Sequence, residues 1–201
     1  MRKLFYLLPF VVLSACGGND KAPEAVEAGP AATPVAVGKQ TAAFNESLST
    51  LLVSYYAVKD ALIEADTTLA NKAAQNLLVA ADSLKVSEVK GDTAIVATLN
   101  TFRGNIASEA RGFLGETNIT EKRRAFSMVT ENLYPFLQAI KYDGQTVYHQ
   151  LCPMAFNDDE EASWLSNSRE VVNPYLGKKH PKYASGMLHC GEVKDSLGAA
   201  H

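Results

Sequence analysis

Leu48-Ser49-Thr50-Leu51-Leu52-Val53-Ser54-Tyr55-Tyr56-Ala57-Val58-Lys59-Asp60-Ala61-Leu62-Ile63 is the stretch whose reading decides the fold. Leu48, Leu51, Leu52, Tyr55, Tyr56, Leu62 and Ile63 recur at three- and four-residue spacing, the period of one helix face. The spacing predicts a helix from about 41 to 65 whose apolar side needs partners. Three further patterns supply them. Asp66 or Thr67 caps a second helix with the stripe Leu69, Ala73, Leu77, Ala81 and Leu84, whose alanines imply a close neighbour. A third starts at Gly91-Asp92 and runs through Ile95, Val96, Leu99, Phe102, Ile106, Ala110 and Phe113 to an end at Gly115. The fourth starts near Asn118, with Glu121 in capping-box position, and continues through Ala125, Val129, Leu133, Phe136 and Ile140. Met128 is read as core on that helix, and Pro135 predicts a kink or an early end. Short connections favour antiparallel neighbours, so the fold class is mainly α, with an up-down four-helix bundle over 41–143.

At Asp143-Gly144, a turn signal, the period changes. Thr146, Val147, Tyr148 and Leu151 have strand character, and Met187, Leu188 and Val193 are expected to pair with them. An irregular stretch lies between, with one short helix near Ser168 to Val172 stopped by Asn173-Pro174. The expectation is an irregular C-terminal segment with short strands, 144–194, packed on the bundle as one domain, followed by a tail over 195–201.

Upstream of the bundle, Arg2 and Lys3 followed by the apolar run Leu4 to Leu13 read as a signal peptide over residues 1–15, too short to span a bilayer. Leu13-Ser14-Ala15-Cys16-Gly17 resembles a bacterial lipobox, which would make Cys16 the acylated first residue of a lipoprotein in the cell envelope, held to a membrane by its N-terminal lipid. Residues 16–40, rich in Ala, Pro, Gly, Glu and Val, read as a flexible linker averaging roughly 25–30 Å end to end. Loss of Arg2 and Lys3 takes the formal charge from −3 to −5, and no polybasic patch follows. A nucleic-acid partner is not expected on that balance.

Soft donor atoms concentrate between Val147 and Val193. That segment holds Cys152 and Cys190 of three cysteines, Met154 and Met187 of four methionines, His149, His180 and His189 of four histidines, and Trp164, the only tryptophan. Thiolate and thioether sulfur favour copper(I) and silver(I), whereas zinc takes Cys and His and rarely Met. The Cys, His and Met of copper electron-transfer proteins lie close together on one loop of a β-sandwich, a spacing and period absent here, and no Cys-x-x-Cys-His attaches a haem.

Val147-Tyr148-His149-Gln150-Leu151-Cys152-Pro153-Met154-Ala155, Trp164-Leu165-Ser166, Asn173-Pro174-Tyr175-Leu176-Gly177 and Met187-Leu188-His189-Cys190-Gly191-Glu192-Val193, in that order, resemble a bacterial envelope domain family of uncharacterised function. Tyr55-Tyr56 and Lys59-Asp60-Ala61-Leu62 look like the family's opening, so the likeness covers the folded region. Members stand alone as secreted or lipid-anchored proteins, or are attached to periplasmic adaptor subunits of copper and silver efflux pumps. Position by position, the resemblance implicates Cys152, Met154, Met187 and Cys190 as metal ligands, with His149 and His189 second. The run Asp158-Asp159-Glu160-Glu161 and the stretch from Lys178 to Gly186 read as local elaborations that leave His180 outside the site.

The function expected is binding of a soft metal ion, copper(I) or silver(I), for sequestration or transfer to an efflux system. A Cys152–Cys190 disulfide is equally open: in an exported chain whose third cysteine is acylated, the remaining two pair naturally, closing a 38-residue loop worth roughly 3–4 kcal/mol. The chain would then be a stapled protein-interaction module without metal. Trp164 and Tyr175 read as a small aromatic core, and Ser166 and Asn173 as turn or cap residues. A Cys nucleophile beside His149 or His189 lacks an orienting group or oxyanion site evident in the sequence, so no enzyme is expected.

Overall fold

The computed structural model describes residues 39–198. The signal peptide, the lipid-anchor residue Cys16, nearly all of the linker, and the end of the tail with His201 lie outside the described residues. Four helices come first: α1 (Ala42–Ile63), α2 (Thr67–Asp82), α3 (Thr93–Gly115) and α4 (Ile119–Ala139). Three strands follow: β1 (Val147–Phe156), β2 (Glu160–Ser166) and β3 (Glu192–Leu197). The fold is mainly α, with an antiparallel sheet in its C-terminal part.

Each helix begins where a polar side chain takes an orphan amide. Thr41 accepts from Phe44 N–H, Asp66 from Leu69, Asp92 from Ile95 and Asn118 from Glu121. Each cap contributes about 1 kcal/mol and fixes the entry of its helix. The buried faces meet in one core. Phe44, Leu48, Leu51, Tyr55 and Leu62 come from α1, and Ala70, Ala74, Leu77 and Ala81 from α2. Leu99, Ile106 and Phe113 of α3 and Phe126, Leu133 and Phe136 of α4 complete it. Leu69 and Met128, expected inside, are 54% and 47% exposed. The α2 stripe runs through Ala70, Ala73 and Ala74, one position on from Leu69, and Met128 falls between the turns that bury Phe126 and Val129.

Pro135 does not end α4, which runs four residues beyond it to Ala139. A proline inside a helix costs about 3 kcal/mol. Phe136 and Leu137, both fully buried, each return about 2 kcal/mol by leaving water. Burial therefore carries the helix past the lost hydrogen bond.

In the sheet β1 is central, flanked by β2 and β3 in the order β2-β1-β3. It pairs antiparallel with β2 from Tyr148↔Ser166 to Cys152↔Ala162 and with β3 from Val147↔Leu197 to Leu151↔Glu192. The expected strand after Asp143-Gly144 is there, and Val193 pairs with Gln150 as foreseen. Met187 and Leu188 lie instead in turns, where Leu188 N–H bonds Ser185 O and Cys190 N–H bonds Met187 O. No helix forms from Ser168 to Val172. The carbonyls of Ser168, Arg169 and Glu170 all accept from Gln150 Nε2, whereas a helix would commit them to amides four residues on. β2 grows out of the acidic run: Asn157 and Asp158 make the left-handed turn after β1, and Glu160 opens the strand while pairing both carboxylate oxygens with Arg124 of α4, at 2.7 and 3.0 Å.

One hydroxyl joins the helices to the sheet. Tyr55 Oη lies 2.6 Å from Thr130 Oγ1 of α4 and accepts the Leu165 N–H of β2 at 3.0 Å. Among the described residues no helix is long and apolar enough to cross a membrane.

Candidate functional site

Cys152 enters the site from β1, fully buried opposite Ala162. Cys190 arrives from the other end of the segment, as the last residue of the Met187–Cys190 turn and two residues ahead of β3. Their sulfurs lie 2.6 Å apart, both as free thiols. The Cys190 thiol is pushed up to about 12, by burial first and then by the neighbouring Cys152 thiol. At neutral pH it is protonated, so any metal must displace that proton.

Two neighbours bring this about. Gly191 adopts φ +130°, and a β-carbon there would come within 2.7 Å of the Leu151 carbonyl oxygen and 2.9 Å of the Trp164 ring. Only glycine lets the chain pass so close to β1 at that backbone angle. Asn173, fully buried, braces the same arm. Its Oδ1 accepts from the Tyr175 and Leu176 amides at 2.8 and 3.0 Å, its Nδ2 donates to Cys190 O at 2.8 Å, and its own N–H bonds Leu188 O at 2.8 Å. The turn residue expected from sequence is thus also the clamp on the second cysteine. Trp164 and Tyr175, both buried, meet edge to face with centroids 5.9 Å apart, as the aromatic core expected there.

The remaining candidates divide. Met154 lies two residues beyond Cys152 on β1 and Met187 three residues before Cys190; both are half-buried against the core. The exposed ring of His189 places Nδ1 2.7 Å from Val171 O. A carbonyl only accepts, so Nδ1 carries a proton, which leaves Nε2 as the only ring nitrogen that could ligate. His149 lies elsewhere. It lies three positions before Cys152 in the part of β1 that pairs in unbroken register with β2, which puts the two on opposite faces of the sheet. Its ring stacks on Tyr134 of α4, 4.0 Å between centroids, and its pKa is lowered by burial against the opposing pull of Glu131 and Asp195. His180 is half-buried, stacked on Tyr183 at 5.1 Å.

Among the described residues no three His, Cys, Asp or Glu side chains converge where they could hold a metal ion. The two sulfurs are in contact, whereas Met154 lines a different cavity, with Thr120, Arg123 and Phe156. Sequence reasoning missed Gln150, the buried amide that gathers three loop carbonyls over the sheet, because a lone glutamine in a strand carries no signal for that role.

A family model described as Protein of unknown function (DUF3347) matches residues 51–145, from within α1 to the turn before β1. No curated protein and no solved structure matches the chain.

Proposed function

We propose that this chain is a lipid-anchored envelope protein that binds a soft metal ion, copper(I) or silver(I), at the Cys152–Cys190 pair, for sequestration or hand-over to an efflux system. The observation that carries this reading is the convergence of two thiols from positions 38 residues apart, each with a methionine two or three residues away. Two thiols in contact, with no third His, Cys, Asp or Glu converging on them among the described residues, favour a monovalent soft ion of low coordination number over zinc. An ion about 2.3 Å from each sulfur needs the two sulfurs about 4 Å apart. Cys190, in a half-exposed turn, is the arm that opens, while Cys152 stays fixed in β1. Release then proceeds by exchange of sulfur ligands with a partner's Met or Cys. Cys16 would supply the anchor and the segment to Gln40 the reach. Packing of α1 on α2, α2 on α3 and α3 on α4 supports an up-down order for the helices.

Copper(I) titration of the reduced protein against a competing chelator tests the reading, beside a Met154→Ala, Met187→Ala double variant. One ion bound per chain, weakened about a hundredfold in the variant, is the expected result. Absence of binding by the reduced wild type overturns it.

The 2.6 Å sulfur contact favours a second reading, in which the oxidised pair is a permanent staple of an interaction module without metal. Mass spectrometry of the exported protein, with and without a thiol-blocking reagent, separates the two. Resistance of the bridge to mild reductant supports the staple.

A further inference from the structure

A separate cavity opens between the first turn of α4, the end of β1 and the loop that follows Asn173. Its lining includes Arg123, Thr120, Met154, Phe156, Tyr175 and His180. Arg123 is 3% exposed, yet its hydrogen bonds all go to neutral carbonyls: Nε to Pro174 O at 3.0 Å, and Nη2 to Leu62 O and Leu176 O at 3.2 and 3.5 Å. Among the described residues no carboxylate pairs with it, and Nη1 makes no hydrogen bond. Buried charges are paired as a rule, because carbonyl dipoles alone offset only part of the lost hydration.

The acids nearby are already committed. Asp158, on the cavity wall, is bonded to the Lys182 ammonium and, at 2.6 Å, to the Tyr183 hydroxyl. Glu160 is held by both arms of Arg124. The positive end of the α4 dipole faces the same region, since Thr120 and Arg123 lie in and just after its first turn. Arg123 thus lines the cavity with the N–H groups of Nη1 uncommitted, and apolar surface from Met154 and Phe156 lies beside it.

We propose that this cavity binds a small organic carboxylate, its head group on the free edge of the Arg123 guanidinium and the Thr120 hydroxyl, and its short carbon chain against Met154 and Phe156. The free N–H groups of Nη1 give the carboxylate a charge-assisted hydrogen bond, and the apolar wall selects an alkyl chain over a bare inorganic anion.

The test follows the Met154 methyl resonance of the metal-free full chain by NMR during titration with butyrate, with neutral butyramide and inorganic phosphate as parallel probes. The expected result is a saturable shift with butyrate, none with butyramide, and weaker binding of phosphate. Because Arg123 also braces three carbonyls, Arg123→Gln can unfold the region. Thr120→Glu instead adds a negative charge at an exposed position and should weaken butyrate about tenfold with the fold intact. A butyrate titration without saturation, a butyramide response equal to it, phosphate binding as tight, or unchanged affinity in Thr120→Glu would each overturn the proposal.

Discussion

The α-carbon of Gly191 sits so close to β1 that a side chain there would meet the Leu151 carbonyl oxygen at 2.7 Å. That approach sets the distance between Cys190 and Cys152, because Cys190 is the next residue back along the chain. Gly191→Ala adds both a clash and a strained positive φ, so it should cost about 2–3 kcal/mol in urea unfolding. It should also separate the thiols, slowing formation of a Cys152–Cys190 disulfide under mild oxidant. Wild-type oxidation kinetics in the variant would show that the glycine does not set the thiol geometry.

Tyr55→Phe tests the joint between helices and sheet. The hydroxyl serves Thr130 and the Leu165 amide inside the core, so its removal leaves a buried N–H without a partner. Such a loss costs about 1–3 kcal/mol. Hydrogen exchange at the Leu165 amide should accelerate with it, while helix content by circular dichroism stays at the wild-type level.

How far the sequence showed this in advance depends on how local each signal is. Asp66 and Asn118 cap their helices as read, because a cap needs only a side chain and an amide three residues on. β2 escaped notice because Glu160 and Glu161 mask its start, and the buried run Ala162 to Ser166 lacks the alternation of a half-exposed strand. Cys152 and Cys190 stood out by residue type, and the fold does bring them together. His149 stood second to them, but which sheet face it takes depends on strand parity, and that places it against Tyr134 instead. Arg123, and Asn173 in its bond to Cys190 O, act on backbone carbonyls distant in sequence, and no local pattern announces such contacts.

Asn173→Ala removes three hydrogen bonds at a fully buried position, including the one to Cys190 O. At about 1 kcal/mol each, the destabilisation should reach about 3 kcal/mol by denaturant melt. Asn173→Asp keeps the acceptor for the Tyr175 and Leu176 amides but buries a carboxylate against the Cys190 carbonyl oxygen. It should therefore be destabilising at neutral pH, recover as the carboxyl is protonated in acid, and increase the alkylation rate of Cys190; a stability loss independent of pH would contradict this.

The raised pKa of Cys190 gives the reduced protein a defined pH response. A thiol whose ordinary value is 9.0 and whose folded value is about 12 keeps its proton in the native state at pH values where the unfolded chain has lost it. Above about pH 9 the native state thus binds more protons than the unfolded state, so stability falls as pH rises through that window and is unaffected by this group below it. Alkylation by iodoacetamide, which requires the thiolate, should be slow near neutrality and climb toward pH 12. A soft ion reverses the balance by replacing the proton. Copper(I) binding should then release protons and tighten with each unit of pH up to the Cys190 value, measured as apparent affinity against a chelator whose own titration is known. Affinity independent of pH from 6 to 9 would mean that Cys190 is not a ligand.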